Sequence, residues 1–404
     1  MRVLHVVENA GSGTSRHLVD VTRTASEIEH HLALSPMRHR VLAGGAPYDT
    51  AAVAAMVAAG ARVHYVDMRR PPANPANLAA VLNLRRLLYQ LRPAVVHGHS
   101  SVGGALARLA AAGSATPTVY TPHALASGSV AHAVERSLGR VTARLIAVSE
   151  SEAAEARQLR LAPPERIVAI PNGIDLSPVR PAETDLRAVL GLAPGTPLIG
   201  SIARLVPQKA PDEMVALCAA VGRHRPDTHF LHIGMGPLQD RVDSAVARSG
   251  IATRWHQISE LPDAAATLDQ LDVFVLPSRF EGGPYAPLEA MRAGTPVVLS
   301  EVVGNKDIVE DGVSGFLVAF GDTEKMAARV ISLLEEPERR QAIVAAARER
   351  LRTRFDVQVM GARLSDLYRE VAGESRRRRT RRLPHPKAPS SAQPPDASAA
   401  QYSS

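Results

Sequence analysis

A chain of 404 residues with 45% hydrophobic content is long enough for two domains with ordinary cores, and at 3% aromatic content those cores are mainly Ala, Val and Leu. The single cysteine, Cys218, sits in an apolar stretch as a buried packing residue and excludes an internal disulfide or a cysteine-based zinc site. Six arginines and Lys387 against Asp396 give residues 375–404 a net charge of +6, leaving about +1 of the total +7 for the rest, so the basicity belongs to the tail and says little about the folded domains.

No run of 18 apolar residues occurs, and Val3 to Val7 is too short for a signal-peptide core, which predicts a cytoplasmic protein. Arg2 to Glu8 reads as a first strand. Residues 9–14, Asn-Ala-Gly-Ser-Gly-Thr, read as a glycine loop before a helix starting near Ser15, where Gly11 and Gly13 let the backbone approach an anion. Strand-like runs recur at Arg38 to Leu42, Arg62 to Val66, Ala94 to His97, Thr118 to Thr121 and Leu145 to Val148. Helical stretches separate them, such as Pro75 to Leu91, with Asn74 as its N-cap. Such alternation predicts a parallel sheet covered by helices, with ligands at the strand ends.

Two of those ends carry histidines. His97 and His99 point the same way, but without a further histidine or carboxylate in register they make no metal site. His123 follows a strand and a proline turn, which leaves the ring positioned rather than buried. The string Pro171-Asn172-Gly173-Ile174-Asp175 marks a turn closing a first domain at residue 175, and the proline-rich stretch from Ser177 to Pro197 leads into a second.

The second domain opens on the strand Leu198 to Ala203. Arg204 and Lys209 share the loop after it, and two cations so close repel unless an anion lies between them. Thr228 to Ile233 leads into Gly234 and Gly236, and Trp255 is a packing residue. Val273 to Leu276 is a buried strand followed by Phe280 to Val298, a glycine- and proline-rich turn entering a helix. Free backbone N–H groups at such a turn seat a phosphate. Glu281 and Glu289, eight residues apart, offer acceptors to hydroxyls, and the two features together specify a nucleotide sugar. Beyond Asp322 the chain is helical to about Val371, and the arginine run and Pro/Ser/Ala-rich segment that follow predict a disordered basic tail over 374–404.

The stretch from Glu281 through Gly282, Gly283, Pro287, Leu288 and Glu289 resembles the paired-glutamate signature of the family 4 retaining glycosyltransferases. The resemblance extends from Gly11 to Asp307. It implies an α/β fold of the GT-B arrangement, two Rossmann-like domains with parallel sheets facing across a cleft: residues 1–175 on the acceptor side, 176–355 for the nucleotide sugar, and a terminal helix over 356–373 crossing back. It also implies roles. Glu281 contacts the donor sugar and Glu289 the ribose; Arg204 and Lys209 hold the diphosphate; His123 faces the reacting centre. Gly11 and Gly13 face the diphosphate, although the family usually has adjacent glycines there, and Gly234 or Gly236 lies near the base and ribose. Ala124 stands where the family often has Gly or Asp, and Ala210 where it usually has Gly. The segment Gly304 to Asp307 is shared without an assigned role.

The implied reaction moves a sugar from a nucleotide diphosphate sugar to a sugar or lipid-linked acceptor, as in surface polysaccharide or glycolipid assembly. No Asp-x-Asp motif is present, which predicts catalysis without a metal or other cofactor. The rivals are a nucleotide-sugar epimerase of the same architecture and a non-catalytic nucleotide-sugar-binding scaffold. The arginine run gives the enzyme a means of peripheral contact with an anionic membrane. Without interleaved aromatics it does not specify nucleic acid.

Overall fold

The computed structural model describes residues 1–9, 11–35, 49–125, 128–178, 182–261 and 263–382. The first sheet comprises β1 (Arg2–Val7), β2 (Glu29–Leu34), β3 (Arg62–Tyr65), β4 (Val95–His99), β5 (Thr118–Thr121), β6 (Arg144–Ala147) and β7 (Ile167–Ala169). All its pairings are parallel, in the order β3-β2-β1-β4-β5-β6-β7. The second comprises β8 (Leu198–Ile202), β9 (His229–Ile233), β10 (Trp255–Ile258), β11 (Val273–Leu276), β12 (Val297–Ser300) and β13 (Phe316–Val318), in the order β10-β9-β8-β11-β12-β13.

Both sheets thus run third, second, first, fourth, fifth, sixth, and the chain reverses direction across each sheet between its first and fourth strands. Crevices open between strands at such reversals, and ligands of open α/β sheets bind there, beyond the carboxyl ends of the strands. In this molecule the two reversals are β1/β4 and β8/β11. The sequence elements that follow those four strands build the cleft.

Helices cover the faces of both sheets because strands such as VFVL are buried on both sides. Leu84, Leu88, Leu106 and Ala110 pack on one face of the first sheet against Leu4, Val6 and Val96. The opposite face is covered from the far end of the chain. Val357, Met360, Leu364, Leu367, Tyr368 and Val371 form the apolar stripe of the helix Val357–Arg382, and they pack on Val3, Val95, Val119 and Ile146. Glycine permits that crossing, since a side chain at Gly361 would meet Thr24 Oγ1 at 2.1 Å and one at Gly173 would meet Val357 Cα at 2.5 Å.

Several local expectations change. The first helix begins at Ser12 rather than near Ser15, with Gly11 as its N-cap, so Gly13 lies inside the helix. Strand β2 falls on EHHLAL, which the apolar pattern did not single out, whereas the run Arg38 to Leu42 lies outside the described residues. Asn74 caps a preceding turn by accepting from Ala76 N at 3.0 Å, and the helix proper is Asn77–Leu91. Residues 374–382, expected to be disordered, continue the last helix. Arg144 supports the start of that extension, donating to Glu370 at 2.5 Å and to Glu374 at 2.7 Å. The remainder of the expected tail, 383–404, lies outside the described residues.

Candidate active site

The loops after β8 and β11 are stitched together. Arg279 N donates to Gln208 O at 2.8 Å, and Gln208 Nε2 donates to Phe280 O at 3.1 Å. Lys209, at the end of the single turn Pro207–Lys209, reaches Glu281 with Nζ to Oε1 at 2.5 Å. Glu281 is only 5% exposed, so this is a charge pair held away from bulk water. Ala210 ends the turn at φ +47°, a left-handed conformation that suits the glycine usual in the family.

Arg204, on the same loop, makes no ion pair among the described residues. Desolvation and the Arg70 cation hold its guanidinium below its ordinary value, and Glu281 partly opposes this. Arg70 is itself tied to Glu8 at 2.9 Å. Gly234 and Gly236 owe their identity to packing on the same loop: a side chain there would strike Ala203 O at 2.1 Å and Leu205 O at 2.3 Å, on either side of Arg204. Those glycines therefore shape the Arg204 loop.

The glycine turn abuts the first half of the molecule. A side chain at Gly282 would lie 2.8 Å from His123 C and O, and one at Gly283 would lie 2.7 Å from Val148 O. Asn172 Nδ2 donates to Gly283 O at 2.7 Å. Ser151 donates through its N–H and hydroxyl to Asp307 and accepts from Gly304 N at 2.8 Å, so the Gly304 to Asp307 segment is a clamp across the cleft. Opposite the turn, His123 and Ala124 adopt φ +61° and +149°, conformations costly for residues with a side chain. The contact with Gly282 is where that strained loop meets the second half.

Glu289 lies at the fifth position of the helix Tyr285–Ala293 and faces the first helix, with Arg16 Nη1 3.6 Å from its Oε1. Burial raises its pKa, and Arg16 and Arg292 oppose the rise. Arg16 also binds Asp20 at 3.0 Å, whose carboxyl burial pushes up to about 6. Gly13 packs on Tyr285, where a side chain would stand 3.7 Å from Cδ2, and the buried Tyr285 hydroxyl has no partner. Pro287 occupies the third helical position, where its missing N–H breaks no helical bond. Leu288 is 1% exposed and belongs to the core, so only its backbone is offered to a ligand.

One expectation is corrected. His97 and His99 do have further histidines in register: β1 places His5 opposite His97, and His99 lies 3.1 Å from both His5 and His123. Arg16, His17, Arg70, Asn172 and Tyr285 also line this region without having been singled out. Asn172 was legible as a turn residue, but its partners lie far along the chain.

Comparison with known proteins agrees with this arrangement. The model described as Glycosyltransferase Family 4 matches residues 12–178, and that described as Glycosyl transferases group 1 matches residues 182–350. A D-inositol 3-phosphate glycosyltransferase of Thermobispora bispora is 31% identical over 319 residues, spanning 73% of this chain and 74% of that protein. The chain belongs to the family 4 glycosyltransferases. An alpha-maltose-1-phosphate synthase of Mycolicibacterium smegmatis is 30% identical over 78% of this chain and 88% of its own length. In fold, this family 4 chain is similar to Anabaena HepE, solved with UDP and glucose, at a TM-score of 0.78 and 20% identity, covering 92% of this chain and 100% of that one. The fold is of the GT-B type and the protein is a glycosyltransferase, which lends the epimerase no support. Among the described residues no helix is long and apolar enough to cross a membrane.

Proposed function

We propose that the cleft between the β1/β4 and β8/β11 loops transfers a sugar from a nucleoside diphosphate sugar to an acceptor with retention of configuration. The observation that carries this reading is the Lys209–Glu281 pair, seated beside Arg204 and directly across from the His123 loop. Arg204 and Lys209 hold the diphosphate and stabilise the charge that collects on it as the sugar departs. Glu281 and His123 face the sugar, and the glycine turn and the amino end of the helix Tyr285–Ala293 supply backbone N–H groups to the phosphates. Glu289 accepts from the ribose hydroxyls. Gly11 and Gly13 bring the first helix close to the diphosphate, and Gly234 and Gly236 keep the Arg204 loop beside the nucleoside. Positioning and leaving-group stabilisation then supply most of the rate.

The acceptor is a sugar or lipid-linked molecule. Relatives whose names print D-inositol 3-phosphate and diphosphoundecaprenol-linked GlcNAc support that class. Residues 1–175 hold the acceptor and 176–355 the donor, and the arginine run beyond Ser375 gives a cytoplasmic enzyme a reversible hold on an anionic membrane face. The test is Glu289→Ala, with donor affinity measured by calorimetry after a thermal-shift panel has picked the nucleotide sugar. A charged hydrogen bond of about 1.5–3 kcal/mol predicts a roughly ten- to hundredfold loss for the nucleotide sugar and for the bare nucleoside diphosphate. Unchanged affinity would remove Glu289 from the ribose.

A further inference from the structure

Six of the chain's 15 histidines, His5, His17, His30, His97, His99 and His123, gather beneath the cleft. A neutral imidazole carries one proton and one lone pair. The hydrogen bonds fix which nitrogen is which. A carbonyl only accepts, so His30 Nε2, 3.1 Å from Ala25 O, bears a proton, and His30 Nδ1 is the lone pair. His5 Nε2 donates to that lone pair at 3.0 Å, and His5 Nδ1 then accepts from His99 Nε2 at 3.1 Å. His99 Nδ1 is left as a lone pair facing His123 Nε2 at 3.1 Å.

A second anchor acts on His17. The Asn172 amide donates to Gly283 O, which turns its Oδ1 toward His17 Nδ1 at 3.0 Å and makes that nitrogen the donor. His17 Nε2 is therefore a lone pair, in a ring that is 1% exposed, and it has no partner. One ring nitrogen from each of His17, His99 and His123 lies within 4.8 Å of the others. Four-coordinate zinc with Zn–N bonds of about 2.0–2.1 Å spaces its ligands roughly 3.3 Å apart. The His99–His123 separation already matches that spacing, and rotation of the His17 side chain brings in the third nitrogen. The neighbouring triad of His5, His97 and His99 is closed instead, since both ring nitrogens of His97 are held from outside it, by Tyr368 and Thr121.

We propose that His17 Nε2, His99 Nδ1 and His123 Nε2 form a site for one divalent transition-metal ion of the zinc type, with its remaining position open toward the cleft past the half-buried His123. Distant carbonyls hold two of the ligands in the metal-binding tautomer, as groups hydrogen-bonded behind a metal-bound imidazole do. The proton on His123 Nε2 moves to Nδ1 of the same ring when the ion enters. The inference does not rest on the roles proposed for the donor site, and a bound ion competes with the donor sugar for His123.

The test uses full-length protein, stripped with chelator and titrated with Co²⁺ in the absence of any nucleotide sugar. One equivalent should give the visible absorption of a low-coordinate Co²⁺ site, and Zn²⁺ should erase it. His17→Ala should weaken Co²⁺ binding at least a hundredfold. Asn172→Ala, which frees the His17 ring without removing a ligand, should weaken it roughly tenfold and remains informative should His17→Ala not fold. His64→Ala, in the separate His31–His64 pair, should leave the spectrum intact. Absence of the band at one equivalent, or a band that survives both His17→Ala and Asn172→Ala, overturns the site while leaving the transferase reading untouched.

Discussion

Arg204 and Lys209 share one loop, yet their surroundings separate what each contributes. Lys209 neutralises a carboxylate that is almost fully enclosed, whereas Arg204 has no ion pair among the described residues. Both substitutions to Ala should lower turnover roughly a hundredfold, the effect of losing one charge-stabilising donor. Lys209→Ala should also lower Tm, because breaking a buried pair from one side costs about 3–5 kcal/mol, while Arg204→Ala should leave Tm nearly unchanged. The double variant Lys209→Ala, Glu281→Gln should regain the stability without the activity. Equal melting temperatures for Lys209→Ala and wild type in calorimetry would show that the pair stabilises nothing. These charged residues were legible in the sequence because each follows a strand in a short spaced pattern. Arg16 and His17 were not, since their partners Glu289 and Asn172 come from elements remote in the chain, and no local pattern encodes such a pairing.

At the level of elements, the glycine turn and the His123 loop function as one surface. The backbone of Gly282 fits against His123 only because there is no Cβ, and the neighbour is backbone that cannot swing aside. Gly282→Ala should force the two loops apart by roughly half an ångström or more. Misplacement on this scale predicts about a tenfold loss of turnover, given that roughly 1 Å can cost a hundredfold, and a lowered Tm, because the clash is with backbone. Wild-type turnover in Gly282→Ala would show that the contact does not position the site. The turn itself was readable from its glycines and prolines. Strand β2 was not, because Glu29, His30 and His31 look like solvent-facing residues; His5, Ala25 and His64 satisfy the two rings inside the fold, and that compensation exists only after the sheet has formed. The histidine cluster escaped notice for the same reason, being assembled from three adjacent strands, a helix and a loop.

Across the whole molecule, the repeated strand order explains why the alternating pattern sufficed to specify two α/β sheets, and the terminal helix explains how they are joined. The expectation of disorder after Gly373 came from composition alone; it missed that Glu374 is tied to Arg144 and that Ser375 donates to Ala115 O at 2.7 Å. A truncation meant to probe the arginines must therefore end after Ser375, so that both anchors remain. Removing residues 376–404 deletes six arginines and Lys387, and it leaves a folded body with almost no net charge. If each basic residue near an anionic leaflet contributes roughly 1 kcal/mol, full-length protein should co-sediment with anionic vesicles at low salt and be released at high salt. The truncated protein should stay in solution at both, with unchanged turnover on a soluble acceptor, because the cleft lies at the strand ends of the two sheets and uses none of the deleted residues. Equal sedimentation of the two proteins at low salt would mean that the arginine run gives no hold on the membrane.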